Sequence, residues 1–350
     1  MSSVTLEEKQ MSDVVPVAST QYQGVWCYAE QRRGQIVPTI YELLQAGRKL
    51  SSDLKEELVA VLVGYKVKAA AQDLIEHGAD KVYVYDNPLF ENFLDESYAK
   101  ALQELVTQGK PNKLLIPAST HGRSLAARLA VTLGTGAVAE VTEIALDAKT
   151  KGIRATRSSY GGNVVSTLGC KDQRPELVTV RPMAFPKAEK VPGRQGKVVP
   201  LSVEPALMKS RVKFIQFVPE ENGVQDIGTA EKIVSGGRGL GTPQGFDLIR
   251  EFAKALGAAV GASRATVDAG WIPYRHQVGL TGRTVRPKLY VACGISGQIQ
   301  HLAGMSSSEV IVAINTDPEA PLMKLATFSV QGDLYQVIPA IIAEIKKQRG

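Results

Sequence analysis

Cysteine is scarce in this chain: Cys27, Cys170 and Cys293 are the only three, and no two of them form a CxxC pair. An odd, dispersed set excludes a disulfide scaffold and the usual structural zinc sites, and it fits a reducing cytoplasm. The four histidines, His77, His121, His276 and His301, are too scattered to suggest a metal site by spacing. No apolar run reaches the roughly 18 residues of a membrane span. Residues 1–22 have neither the basic nor the apolar region of a secretory signal and read as a polar tail. Aromatic residues make up only 6% of the chain, and its 41 Lys and Arg against 35 Asp and Glu are spread along it rather than gathered in a basic block. Nucleic acid is therefore not an expected partner. Nucleophile-elbow GxSxG, zincin HExxH and deaminase HxE…PCxxC patterns are all missing, which removes the common hydrolytic chemistries.

What is present is alternation. GVWCYAE, ELVAVLVG, KVYVYD and KLLIPAS read as strands, interleaved with helices over 38–54, AAAQDLIEHGA, ESYAKALQELVTQGK and GRSLAARLAVTLGTG. Repeated β–α units of this length predict a parallel sheet covered by helices. From about residue 138 the texture changes. VAEVTEIALD, GIRATRSSYGGNVVSTLGC and PELVTVRPMAF alternate apolar and polar residues, with Gly161-Gly162-Asn163 as a turn, and read as antiparallel additions to the first sheet. Four prolines fall between Pro186 and Pro205, so 186–205 is the expected linker. KSRVKFIQFVPE (209–220) is a further strand candidate. Alternation then restarts with EKIVSGG, AAVGAS, KLYVACGIS, VIVAIN and TFSVQGD as strands, and LYQVIPAIIAEIKKQ as a closing helix. The fold class is α/β, with two parallel-sheet domains at 23–210 and 211–350.

Four motifs in the second domain lie at strand ends, where α/β sheets bind ligands. Gly236-Gly237-Arg238-Gly239-Leu240-Gly241 lets backbone approach a phosphate, with Arg238 as a charged clamp. Gly261-Ala262-Ser263-Arg264 can donate to an anion or an electron-rich ring. Gln277-Val278-Gly279-Leu280-Thr281-Gly282 brings a hydroxyl into a glycine-flanked loop. Cys293-Gly294-Ile295-Ser296-Gly297-Gln298-Ile299-Gln300-His301 runs from a buried strand into a short helix. Read singly, the loops are ordinary turns, Arg264 a surface arginine, His301 a structural histidine and Cys293 inert core. Their convergence favours a large anionic ligand with a polar ring at one end.

The blocks SGGRGLG, GAAVGASRATVDAGW, HQVGLTGRTVRPKLYVACGISGQIQHLAGM and VIVAINTDPEAP occur in the same order in the α subunit of electron transfer flavoproteins, the FixB-like family, which this chain resembles over nearly all its length beyond the tail. VYVYD, HGRSLAARLA, TRSSYGGN and TVRP extend the resemblance through the first domain. It implies a Rossmann-like second domain that holds FAD, a first domain that contacts a β subunit in a heterodimer, and no metal. Carried over, Arg238 and Gly239 sit near the phosphate–ribityl region, and Ser263 with Arg264 against the isoalloxazine. A fixed charge there favours reduced flavin, by about 4 kcal/mol at 4 Å and an effective dielectric near 20. Thr281 matches the threonine near flavin N5 and His301 the histidine near the C2 carbonyl, so Arg264, Thr281 and His301 would tune the flavin. Val278, Gly279, Leu280, Ser296, Gly297, Gln298, Ile299, Gln300 and Leu334 complete the expected contacts, with Asn315 and Asp333 on the adenosine side. Leu280 stands where glutamine is common, and Gln298 where alanine is frequent.

The resemblance implies an electron carrier between a dehydrogenase, such as an acyl-CoA dehydrogenase, or NADH and an onward acceptor such as ferredoxin, flavodoxin or a quinone reductase. DAGW, TGRTVRPKLY and ACGISG are closer to the anaerobe branch, some members of which bifurcate electrons from NADH; that activity needs the β subunit and stays open here. Two other classes stay open: a self-contained flavin- or NAD-dependent oxidoreductase, against which stands the lack of an acid–base pair beside the cradle, and a nucleotide-binding sensor module.

Overall fold

The computed structural model describes residues 21–159, 164–170, 173–205, 210–217, 226–228 and 230–349. The chain divides into two compact units, residues 1–157 with 166–216, and residues 158–165 with 217–350.

The first unit begins with β1 (Val25–Ala29), a short hairpin of β2 (Gln31–Arg32) and β3 (Gln35–Ile36), α1 (Thr39–Leu54), β4 (Leu58–Gly64), α2 (Ala70–Glu76) and β5 (Lys81–Asp86). α3 (Asp95–Gly109), β6 (Lys113–Pro117), α4 (Thr120–Thr132), β7 (Ala137–Val141), β8 (Glu143–Leu146), β9 (Ile153–Ser159), β10 (Val164–Leu168), β11 (Glu176–Val180) and β12 (Lys197–Leu201) follow. Seven strands in the order β12-β5-β4-β1-β6-β11-β7 form one sheet, every pair parallel. Strand side chains alternate between faces, so Val25, Cys27, Ala29, Leu58, Ala60 and Leu62 pack with α1 and α2, while Trp26, Tyr28, Val59, Val61 and Val63 pack with α3 and α4. Both faces are covered, which is why β1 and β4 are buried at every position.

Three sequence expectations are corrected here. PELVTV joins the first sheet as β11, parallel rather than antiparallel, and so does β7 on its flank. The antiparallel pairing of β8 with β9 belongs to a separate three-stranded sheet with β10. Second, the proline-rich stretch contains β12, parallel to β5 at the sheet edge. Pro200 is tolerated because an edge strand needs only one of its two rows of hydrogen bonds. Third, 210–217 carries no strand; Lys209 and 218–220 lie outside the described residues, as do the Gly161-Gly162-Asn163 turn and residues 1–20 of the tail.

The second unit contains β13 (Lys232–Gly236), α5 (Gly245–Leu256), β14 (Ala259–Ala262), α6 (Arg264–Asp268), β15 (Leu289–Cys293), α7 (Ile299–Leu302), β16 (Val310–Asn315), α8 (Pro321–Leu325), β17 (Phe328–Gln331) and α9 (Leu334–Arg349). Its sheet is parallel in the order β14-β13-β15-β16-β17. Phe246, Ile249 and Phe252 of α5 and Ile338 and Ile342 of α9 bury one face against Val234, Val291 and Ile314. Ile233, Tyr290, Ala292 and Ala313 face the other side, with Leu322 and Met323 of α8. Chain order reverses between β13 and β15, the position at which parallel α/β sheets bind ligands. No helix among the described residues is long and apolar enough to cross a membrane.

Candidate functional site

Each unit has a point where strand order reverses, but the two are filled differently. In the first unit it lies between β1 and β6. There Glu30, almost fully buried, accepts from the Ser119 hydroxyl and from Arg32 (3.2 Å), and His121 lies 3.7 Å away, stacked on Phe93. Burial lowers the His121 pKa, with Glu30 opposing. That carboxylate has its partners within the chain.

In the second unit the ends of β13 and β15 meet backbone to backbone. Gly237 N–H donates to the Cys293 carbonyl (2.9 Å) and Gly239 N–H to the Gly294 carbonyl (3.0 Å). A Cβ on Gly237 would lie 2.2 Å from the Gly294 oxygen, and one on Gly239 2.7 Å from the Gly294 Cα. Only glycines allow these loops to interlock and leave main chain at the crevice floor. Arg238 projects from this turn, exposed, with no carboxylate partner among the described residues. Leu240 is buried beneath it, and its carbonyl accepts from Tyr335 (2.6 Å).

Ser263 and Arg264 follow β14, and Ser263 N–H donates to the Gly236 carbonyl (3.0 Å). Ser263 occupies the N-cap of α6, yet its hydroxyl caps nothing; Oγ is buried without a hydrogen bond. A serine there ordinarily bonds an N–H of the first turn. Arg264 is exposed and pairs with Asp268 one turn on (3.1 Å).

The 277–283 loop continues from this edge, with Val278 N–H on the Ala262 carbonyl (2.9 Å). Gly279, at φ +147°, lets the loop lie on α7: Leu280 N–H donates to the Gln300 carbonyl (2.7 Å), and Gly304 packs against Gly279. The Leu280 and Thr281 side chains are exposed. Thr281 is held from two sides: Gln277 Nε2 donates to its Oγ1 (3.0 Å), and the Tyr274 hydroxyl donates to its carbonyl.

After β15, Gly297 takes φ +89°, and a Cβ there would fall 2.5 Å from the Leu322 nitrogen, so α8 fixes this turn as glycine. Ser296, Gln298, Ile299 and Gln300 are exposed around it, while His301 is 6% exposed. His301 Nε2 lies 3.0 Å from the Tyr290 hydroxyl, and its Nδ1 is buried within the protein. Burial lowers the His301 pKa to about 4, the Val278 main chain opposing, so the ring is neutral at pH 7. Burial also keeps the Tyr290 phenol protonated.

Asn315 ends β16 and spends its side chain on structure: Nδ2 donates to the Ile295 carbonyl (3.2 Å), and Oδ1 accepts from Asp317 N–H (3.1 Å). Asp333 starts α9, its Oδ1 accepting from Tyr335 N–H (2.9 Å), and Leu334 is buried beside Gly294. All the residues singled out in the sequence thus sit at the C-terminal edge of one sheet. Gln277 and Tyr290 were not singled out for a role; a tyrosine within an otherwise aliphatic buried strand was the available signal, since a buried phenol needs a partner.

The arrangement fits a long anionic ligand with a polar ring: exposed main chain and Arg238 for phosphate, and the exposed side chains of Arg264 and Thr281 for the ring. Among the described residues no group of three or more His, Cys, Asp or Glu could hold a metal. Residues 25–206 match the family model described as Electron transfer flavoprotein domain, and residues 226–306 that described as Electron transfer flavoprotein FAD-binding domain. The chain is 48% identical to an electron transfer flavoprotein subunit alpha of Thermoanaerobacterium thermosaccharolyticum, over 93% of this chain and 98% of the relative. It is 43% identical to the protein of the same name from Clostridium acetobutylicum, over 93% and 97%. It is 37% identical to the lactate dehydrogenase (NAD(+),ferredoxin) subunit LctC of Acetobacterium woodii, over 95% and 79%.

Proposed function

The chain belongs to the electron transfer flavoprotein α-subunit family, and from that premise we propose that the β13–β15 crevice holds FAD and that the protein, paired with a β subunit, carries electrons from a dehydrogenase or NADH to an onward acceptor. Bound FAD supplies the one- and two-electron redox chemistry. The chain's own part is to bind and bias it. Arg238 and the main chain of 237–239 neutralise and cradle phosphate, and the Gly297 turn brings Ser296 and Gln298 to the same edge. Ser263 and His301 stand behind this edge with their polar side-chain atoms buried. Arg264 brings a mobile positive charge, since an exposed i,i+4 pair with Asp268 is worth only about 0.3–0.5 kcal/mol and yields readily to a ligand. Asn315 and Asp333, at the end of β16 and the start of α9, take the adenosine side.

The observation that carries this reading is the interlocked glycine turn at the ends of β13 and β15, which leaves Gly239 and Arg238 exposed at the C-terminal edge of the sheet. The relative from Acetobacterium woodii, named for NAD(+) and ferredoxin, supports electron bifurcation as the specific form of the activity. Three free cysteines support the cytoplasm as its compartment. The reading divides the chain into a first domain, to about residue 210, that meets the β subunit, and a second that carries the cofactor.

The test is purification of the chain with its β partner, followed by anaerobic reduction while the visible spectrum is recorded. Retained FAD that is reduced by a dehydrogenase or NADH and reoxidised by an acceptor is expected. A colourless complex that FAD does not reconstitute removes the reading. Retained FAD that NADH leaves oxidised removes bifurcation and keeps the carrier.

A further inference from the structure

The proline-rich stretch of the first unit does more than supply an edge strand. Ahead of β12 it is strapped across α1 and α2. Ala188 N–H donates to the Tyr41 carbonyl (2.9 Å) and Val191 N–H to the Glu76 carbonyl (2.8 Å), while Lys190 pairs with Asp73 (2.7 Å) and Glu76 (3.3 Å). Between the strap and these helices lies a cavity of about 410 Å³, walled by Gln45 and Arg48 of α1, by His77 and Gly78, and by 186–189 and Arg194 of the strap. That is the volume of a small-molecule site. Every residue of its wall belongs to the first unit.

The charges around it do not cancel. Nη2 of Arg48 and Nη2 of Arg194 both donate to one oxygen of Asp80, at 2.6 and 2.7 Å, and the other oxygen accepts from Leu58 N–H (2.9 Å). One carboxylate serves two guanidiniums, so one positive charge is left over. Lys187 and Glu189 are exposed, without partners among the described residues, and offset each other. Arg48 also donates to the Gly78 carbonyl, which fixes it on that side. Arg194 is partly exposed and bonds only through Nη2, so its Nη1 is unspent among the described residues. A partly exposed guanidinium with idle N–H groups beside a second cation is an arrangement that takes phosphate or carboxylate oxygens.

We propose that this cavity binds a small organic anion, whose phosphate or carboxylate oxygens are taken by Arg194 and Lys187. Asp80, anchored by Arg48 and by Leu58 N–H, holds the Arg194 guanidinium at the wall before a ligand arrives, so little side-chain freedom is lost on binding. Pro186 and Ala188 offer apolar surface to the body of the ligand. Glu189 opposes the anion and keeps the affinity modest. The site is independent of the FAD reading, which concerns the other unit.

The test titrates the full chain with inorganic phosphate and, separately, with succinate at constant ionic strength. Binding is read by NMR at the Gly78 and Ala188 amides, which belong to the wall. Saturable shifts are expected with at least one probe, half-complete near about 1 mM, a value within reach of so small a ligand. Phosphate alone, succinate alone or both then names the oxyanion the site prefers. Arg194→Gln should weaken binding about tenfold, the loss of one charge-assisted hydrogen bond, and the fold survives it because Asp80 keeps Arg48 and Leu58 N–H. Glu189→Gln, which removes the opposing charge, should tighten binding about twofold to fivefold. Shifts that stay linear with both probes to about 50 mM, or saturation that Arg194→Gln leaves unchanged, overturn the proposal. Should that variant not fold, Lys187→Gln, at a residue without a partner among the described residues, decides in the same way.

Discussion

Burial of His301 should make the second unit sensitive to acid in a way that one substitution removes. The ring is 6% exposed and its pKa falls from 6.5 to about 4. At about 1.4 kcal/mol per pH unit this difference corresponds to about 3 kcal/mol. The folded pKa lies below the unfolded one, so the stabilisation is present above pH 6.5 and is lost as pH falls toward 4, because the unfolded chain takes up the proton first. About 2 kcal/mol of it should be gone at pH 5. The two tryptophans allow the unit to be watched alone, Trp26 lying in the first unit and Trp271 in the second. In a Trp26→Phe background without flavin, the urea midpoint reported by Trp271 should drop by about 1 M between pH 8 and pH 5, for a denaturant slope near 2 kcal/mol/M. Adding His301→Gln should remove most of that drop. An equal drop with and without His301, or a His301 ring titrating near 6.5 by NMR, would refute the reasoning.

Three further outcomes follow from the geometry. Gly239→Ala forces a Cβ to 2.7 Å from the Gly294 backbone, which cannot swing aside; the complex should retain less than about a tenth of its FAD, measured by absorbance after gel filtration, while Trp26-reported unfolding stays unchanged. Lys113 and Glu176 are a buried ion pair, and Glu176 also accepts from Ile153 N–H (2.8 Å). Arg174 also pairs with Glu176 (3.4 Å), so Lys113→Met should cost the first unit less than the about 3–5 kcal/mol of an orphaned buried charge in urea unfolding, and Lys113→Met with Arg174→Met should cost more than the two singly. Arg264→Ala should change thermal stability by under about 0.5 kcal/mol, since its pair with Asp268 is exposed, yet lower the FAD potential in spectroelectrochemistry. An unchanged potential at full FAD content removes the charge role.

The sequence by itself determined the α/β class and the sheet edge at which the candidate residues lie. A short, β-branched apolar run such as LVAVLVG, closed by glycine and too short for a helix, reads as a strand buried on both faces, and the glycine-rich segments after such runs as loops at strand C-terminal ends. That reasoning reached Arg238, Ser263, Thr281 and His301 as neighbours, because chain direction in a parallel sheet brings successive loops to one side. Tertiary structure decided the rest. Whether PELVTV pairs parallel or antiparallel depends on its neighbour β6, which alternation along one strand does not encode. Pro200 became compatible with a strand only because β12 falls at an edge. The charge state of His301 was set by burial among residues distant in sequence, and its orientation by Tyr290, eleven positions earlier on a different element. Local pattern names the groups that can do chemistry; desolvation and hydrogen-bond direction, which fix what they do, exist only once the strands are side by side.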